Sequence, residues 1–194
     1  MSSTRLRLAV IVGSVREGRF GPTVADWFAA EARSHAGFDV DVIDLADHEL
    51  PVVLTADPSP RTAEVLAGLT PRMAQADAFA IVTPEYNHSY PAALKSLIDW
   101  HYTQWQAKPV GFVSYGGLSG GLRAAEALRP VMSELHAVTV RDAVSFHTAW
   151  EQFDELGAPK DPAGPAGAAK VLLDQLQWWA DALHRARARR PYGS

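Results

Sequence analysis

A three-layer α/β sandwich, with a five-stranded parallel sheet and helices on both faces, is the fold this sequence predicts. Three observations predict it. Short aliphatic runs alternate five times with segments whose apolar residues recur at helical spacing. Several of those runs are apolar on both faces, as strands covered from both sides must be. Finally, the 194 residues hold 47% hydrophobic and 21% charged side chains, enough for one core and cramped for two. A single domain over residues 1–194 is expected.

Leu6–Val12 reads as the first strand, followed by a polar loop punctuated by Gly13, Gly18 and Gly21. Pro22 suits the first turn of a helix, where its missing N–H costs nothing, and Val24, Trp27 and Phe28 carry the apolar face until Gly37. Phe38–Asp44 alternates as a half-buried strand, and 45–60 is a proline-rich loop. Val65, Leu66, Leu69 and Met73 mark the second helix, and 78–83 the third strand, closed by Pro84. Leu94, Leu97, Ile98 and His101 mark the third helix, and 109–115 the fourth strand. Ala125, Leu128, Met132 and Leu135 mark the fourth helix, which Pro130 is expected to bend. The fifth strand falls within 138–146, a Pro/Gly/Asp-rich connection within 151–167, and the last helix around Val171, Leu172, Leu176, Trp179 and Leu183. Its end, 182–194, rich in arginine, reads as a frayed and solvated basic tail.

Composition removes several function classes. With 18 basic and 22 acidic side chains the net charge is −4, which excludes a generally basic nucleic-acid binder. There is no cysteine, so disulfides, thiolate zinc sites, thiol nucleophiles and CxxC redox pairs are excluded, and redox chemistry requires a borrowed cofactor. No apolar run approaches the roughly 20 residues that span a bilayer. The N-terminal apolar stretch runs into a Gly-rich turn rather than a cleavage site, so a cytoplasmic location with no membrane contact is expected. The histidines are scattered, and no metal site is expected.

Chemistry in an open α/β sheet belongs at the carboxyl ends of the strands. Three loops there have unusual composition. The first, Gly13–Gly21, reads as an anion cradle: glycines let backbone N–H groups converge, Ser14 adds a hydroxyl, and Arg16 and Arg19 add charged donors. It is not a P-loop, because Arg19 and Phe20 stand where Lys and a hydroxyl are required. Nor is it a dinucleotide fingerprint, because Val15 stands where the second glycine is needed, so a monophosphate suits it better. The second loop, Pro84–Pro91, is stiffened by proline at both ends and offers Tyr86 as a wall and Asn87 and Ser89 as polar partners for a heterocycle. The third, Ser114–Gly121, reads as a glycine seat for a flat ring. It also spells G-x-S-x-G around Ser119, with Asp142 and His147 or His184 following in the order of a serine hydrolase, and that alternative stays open.

At these loops the chain resembles the NAD(P)H-dependent FMN reductases, flavodoxin-like proteins that include quinone, azo-dye and chromate reductases. The segments GSVREGRFGPTVADW, TPEYNHSYPAALKSLIDW and SYGGLSGGLRAAEALRP carry the resemblance, over roughly residues 5 to 150. It implies a bound FMN, with the phosphate near Ser14, Arg16, Arg19, Phe20 and Gly21. The ring would lie between Pro84, Glu85, Tyr86 and Asn87 on one side and Ser114, Gly116 and Gly117 on the other. It implies NADPH or NADH as hydride donor, flavin N5 as the reacting atom, and no obligatory acid–base side chain. A flavin, quinone or similar small molecule would be the electron acceptor in a ping-pong cycle. A non-enzymatic electron carrier or redox sensor is the second class. The resemblance also implies a homodimer or homotetramer, compatible with the aromatic clusters around Trp100–Trp105 and at Trp178 and Trp179. Many relatives have a hydroxyl residue and then Asn where this chain has Arg19 and Gly21, so Arg19 either replaces hydroxyl contacts with charge or points elsewhere.

Overall fold

The structure, a computed structural model, describes residues 5–193; residues 1–4 and 194 lie outside it. Strand β1 (Leu6–Val12) leads into helix α1 (Gly21–Ser34), then β2 (Phe38–Asp44), a 3-10 turn (Leu45–Asp47) and α2 (Pro60–Gln75). Next come β3 (Ala78–Pro84), α3 (Ala92–Trp100), β4 (Pro109–Gly116) and α4 (Leu122–Glu134). The chain ends with β5 (Val138–Thr139), β6 (Val144–His147), α5 (Ala149–Gln152) and α6 (Ala163–Arg189). All pairings are parallel, in the order β2-β1-β3-β4-β5, with β6 also on β4.

The two faces follow from the alternation of each strand. On β1, Leu8, Val10 and Val12 join the core shared with Val24 and Phe28 of α1 and Leu172 and Leu176 of α6. Ala9 and Ile11 join the opposite core, with Leu69 and Met73 of α2, Leu94 and Leu97 of α3 and Leu128 of α4. Strand order turns back between β1 and β3, because β2 lies to one side of β1 and all later strands to the other. Carboxyl-end loops diverge at such a point, which is where open α/β sheets place their ligands.

The fold differs from the sequence reading in three places. The fifth strand is two segments: the Val140 N–H still donates to the Val110 carbonyl of β4 (2.9 Å), but Arg129 takes the carbonyls of Val140 (2.8 Å) and Arg141 (3.1 Å), and pairing resumes only at Val144. The connection after it contains the short helix α5. The tail is not frayed: α6 runs to Arg189, and the Arg187 guanidinium donates to the Ala107 carbonyl (2.5 Å) and to Asp77 (3.2 Å). His184, one turn earlier, meets the same carboxylate at 2.7 Å, so the helix end is stapled to the sheet. The aromatic clusters also divide. Trp105 and His101 are core residues, whereas Trp178 and Trp179 stand exposed on α6.

Candidate functional site

The three loops meet at the carboxyl rim, at and beside the reversal of strand order. The first is anchored where the Gly13 N–H donates to the Val82 carbonyl (2.8 Å), tying the end of β1 to β3. Beyond it, the N–H groups of Ser14, Val15, Arg16, Gly18 and Phe20 have no hydrogen-bond partner among the described residues. Ser14 is fully buried, and its Oγ also lacks a partner. Such groups cost free energy unless something arrives to pair them. Helix α1 starts here with no side-chain cap, adding its positive end. Gly21 is required by space: a Cβ there would stand 2.2 Å from Ser14 Oγ and 2.8 Å from the Tyr115 hydroxyl.

Arg16 and Arg19, paired in the sequence reading, part company. Arg16 is exposed, its guanidinium 5.5 Å from the centre of the Tyr86 ring. Arg19 is bound by both Nη atoms to the Asp44 carboxylate, at 2.5 and 2.7 Å, and also donates to the Ser14 carbonyl (2.7 Å). The bond to Asp44 raises the Arg19 pKa against the opposing effect of burial. Arg19 therefore braces the loop against the end of β2 rather than offering a free cation. Phe20 packs its ring between Tyr115 and Phe153.

The second loop is a tight reversal. Tyr86 and Ser89 exchange backbone hydrogen bonds (2.8 and 3.0 Å) around Asn87 and His88, whose φ angles of 48° and 72° lie in the left-handed region. Asn87 is thus an exposed turn tip, a role its side chain tolerates well. Tyr86 leans toward the first loop, with a buried hydroxyl that has no partner; burial raises its pKa, and Arg16 and Arg19 oppose the shift. Pro84 ends β3, buried opposite Tyr115.

Glu85 reaches across to the third loop. Its carboxylate accepts from the Ser119 hydroxyl (2.5 Å), the Arg123 N–H (3.2 Å) and the Arg123 guanidinium (3.0 Å). Burial alone would raise its pKa, but those three donors together hold it below the usual carboxylate range. Ser114 also works within the protein, donating from Oγ to the Gly120 carbonyl (2.9 Å). Gly121, at φ +81°, is needed for the turn into α4, since a Cβ would come within 2.7 Å of the Tyr115 nitrogen. Gly116 is closed in, paired with His147 and with a Cβ position 3.3 Å from the Gly121 nitrogen, whereas Gly117 is more open, and the N–H groups of Gly117, Leu118 and Ser119 carry no bond among the described residues.

The serine-hydrolase arrangement does not assemble. Ser119 is held by Glu85, the His147 Nδ1–H donates to the Leu118 carbonyl (2.9 Å), Asp142 pairs with Arg141 and Gln175, and His184 is at Asp77. Among the described residues no three His, Asp or Glu side chains are placed to hold a metal, and no helix is long and apolar enough to cross a membrane.

The sequence reading missed two participants. Asp44 takes up Arg19; its position at the carboxyl end of β2, beside the cradle, was the available signal. Tyr115 closes the floor under Gly21, and burial pushes its hydroxyl up to about 12 against the opposing effect of the nearby Ser14 hydroxyl, so it is neutral. The assembled site offers unpaired donors for an anion at one end and open glycine backbone for a flat polar ring at the other.

Comparison with known proteins identifies a family. Residues 6–151 match the profile of the NADPH-dependent FMN reductases. A fission yeast (Schizosaccharomyces pombe) protein named NAD(P)H-dependent FMN reductase is 38% identical over 122 residues, 59% of this chain and 60% of its own length. One from Nectria sp., named NAD(P)H-dependent FMN reductase ntnL, is 31% identical over 197 residues, 87% of this chain and 98% of its own. The Escherichia coli K12 quinone reductase is 34% identical over 146 residues, 71% of this chain and 75% of its own. Among solved structures, the flavoenzyme FerB of Paracoccus denitrificans shares the fold, with a TM-score of 0.67 at 24% identity, covering 93% of this chain and 98% of its own. The architecture is flavodoxin-like, and on sequence the chain belongs to the NADPH-dependent FMN reductase family of oxidoreductases.

Proposed function

We propose that this chain binds FMN in the carboxyl-rim crevice, takes reducing equivalents from NADPH or NADH, and passes them to a flavin, quinone or similar small acceptor. Donor and acceptor would use the same opening in turn, giving ping-pong kinetics. One observation carries the reading: the buried Ser14 Oγ and the surrounding loop N–H groups lack partners at the reversal of strand order. That donor set fits a phosphate monoester. Relatives named as FMN, quinone and azo reductases support it.

When bound, FMN supplies two-electron chemistry at N5. The residues bind and orient. Ser14, Arg16 and the loop N–H groups hold the phosphate, and Arg19 holds the loop through Asp44. Tyr86 forms a wall beside Arg16. The N–H groups of Gly117 and Leu118, unbonded among the described residues and just ahead of α4, would favour negative charge on the ring. Glu85 fixes the distance between the second and third loops. We also propose self-association, for which the exposed Trp178 and Trp179 are the available surface; light scattering reads the mass directly.

The test is the visible spectrum of the protein reconstituted with FMN, before and after NADPH under anaerobic conditions. Rapid bleaching is expected, and its reversal by a quinone. Slow bleaching would favour an electron carrier, and no FMN uptake would end the proposal. Arg16→Ala should weaken FMN about tenfold while leaving the thermal midpoint nearly in place, because Arg16 is exposed and its contact is the surface one with the Tyr86 ring.

A further inference from the structure

The segment after β6 forms a strap over the carboxyl rim, running from the third loop toward the first. At one end the Thr148 N–H donates to the Gly117 carbonyl (2.9 Å), and His147 donates to the carbonyl of Leu118 (2.9 Å). At the other, Gly157 approaches Thr23 in the first turn of α1, its Cβ position 3.5 Å from the Thr23 Cγ2. Between them Phe153 is buried against Phe20, Trp27 and Phe146. The Lys160 N–H closes the strap on the Gln152 carbonyl (2.8 Å), and Asp154 Oδ1 accepts from the N–H groups of Leu156 and Ala158 (2.9 Å each). Thr148 sits at φ +47°, an unusual conformation for a β-branched residue, so the strap holds this corner against a backbone cost.

That scaffold presents one side chain it does not use. The indole of Trp150 is 60% exposed and pairs with no other ring among the described residues. It touches the glycine seat only by its edge, Cη2 lying 3.6 Å from where a Cβ on Gly117 would stand. Leu118 beside it is almost fully exposed. A group covered and released in every turnover requires a surface that stays in place when bare, and the strap fixes the backbone that carries the indole without help from a ligand.

We infer that Trp150 is a positioning residue for the co-substrate, stacking on a flat aromatic electron acceptor at the mouth of the ring seat. This rests on the FMN reading above. It predicts selectivity by shape: planar aromatic acceptors use the indole, and a compact, non-planar one does not.

The test compares the reconstituted wild type with Trp150→Ala and Trp150→Phe, using 1,4-naphthoquinone and ferricyanide as acceptors and an FMN titration of each apoprotein. In Trp150→Ala the KM for naphthoquinone should rise about 5- to 10-fold, and Trp150→Phe should recover most of it. The KM for ferricyanide and the Kd for FMN should each move less than about twofold. Equal changes for both acceptors, or none for either, overturn the inference while the FMN reading stands. An FMN Kd that weakens about tenfold in Trp150→Ala puts the indole on the cofactor and overturns it too. A wild type that takes up no FMN removes both.

Discussion

The two ends of the sheet are built on opposite terms. At the carboxyl rim Ser14 Oγ, the Tyr86 hydroxyl and a run of loop N–H groups are left without hydrogen-bond partners among the described residues. At the amino rim comparable polar groups are saturated. The Asp77 carboxylate accepts from the Arg7 N–H (3.0 Å) and meets His184 (2.7 Å) and Arg187 (3.2 Å). The Lys108 ammonium, buried beneath, donates to the carbonyls of Met73 (3.0 Å) and Ala74 (2.8 Å) at the end of α2. This rim also carries a depression of about 670 Å³ lined by Arg5, Arg7, Asp77, Asp181, His184 and Arg185. Volume alone would place a ligand there. Yet the charges around it are satisfied by each other: Arg5 pairs with Asp39 and Arg185 with Asp181. Buried donors without acceptors, rather than empty space, distinguish the end that awaits a ligand from the end that staples the fold. Trp105 Nε1 is also unpaired, but it is sealed in the core against Phe79 and faces no crevice.

If that contrast is right, damage at the two ends should separate into stability and binding. Asp77→Ala carries the largest expected effect, because it leaves the part-buried Arg187 and the half-exposed His184 without their shared acceptor. It should cost about 3 kcal/mol in urea unfolding while FMN affinity holds. A loss of FMN binding with stability intact would undo the division of labour. Gly21→Val acts at the other end, forcing a side chain onto Ser14 Oγ and the Tyr115 hydroxyl. FMN affinity should fall about 10- to 100-fold, read by flavin fluorescence titration. Unchanged affinity would remove this corner from the phosphate site.

The smallest effect is one of pH. Burial pulls Lys108 down from 10.5 to about 8, with Arg187 adding to the shift and Asp77 opposing it. Between those values the unfolded chain holds the proton and the native chain releases it. The burial penalty is therefore complete below about pH 8 and is relieved as pH rises toward 10.5, so stability gains over that window. Lys108→Met should lack the gain; urea midpoints at successive pH values that run parallel in both proteins would count against it.

Much of the architecture could be read before any coordinates. Leu6–Val12 and Phe38–Asp44 are strands at the residues the pattern indicated, because strand alternation and the glycines that end it are local properties. The loops at the crevice were recognisable for the same reason. Partner choice was not. Arg19 looked like a phosphate ligand until Asp44, 25 positions away, was seen to hold it. Ser119 had the spelling of a nucleophile, and Glu85 has its hydroxyl. The fifth strand was continuous by pattern, and an arginine from α4 took its carbonyls.

What the chain alone settled was the order of strands and helices, the residues that form the core, and the three loops at which chemistry collects. Each is written in periodicities of two and of 3.6 residues and in backbone-permissive glycines, which act over a few positions. What had to wait for the folded molecule was the allocation of polar groups: which arginine is spent and which is free, which hydroxyls are left wanting, and where the strap sets Trp150. Those outcomes depend on hydrogen bonds between residues remote in sequence, and they are decided by distances of an ångström or so that no local pattern encodes.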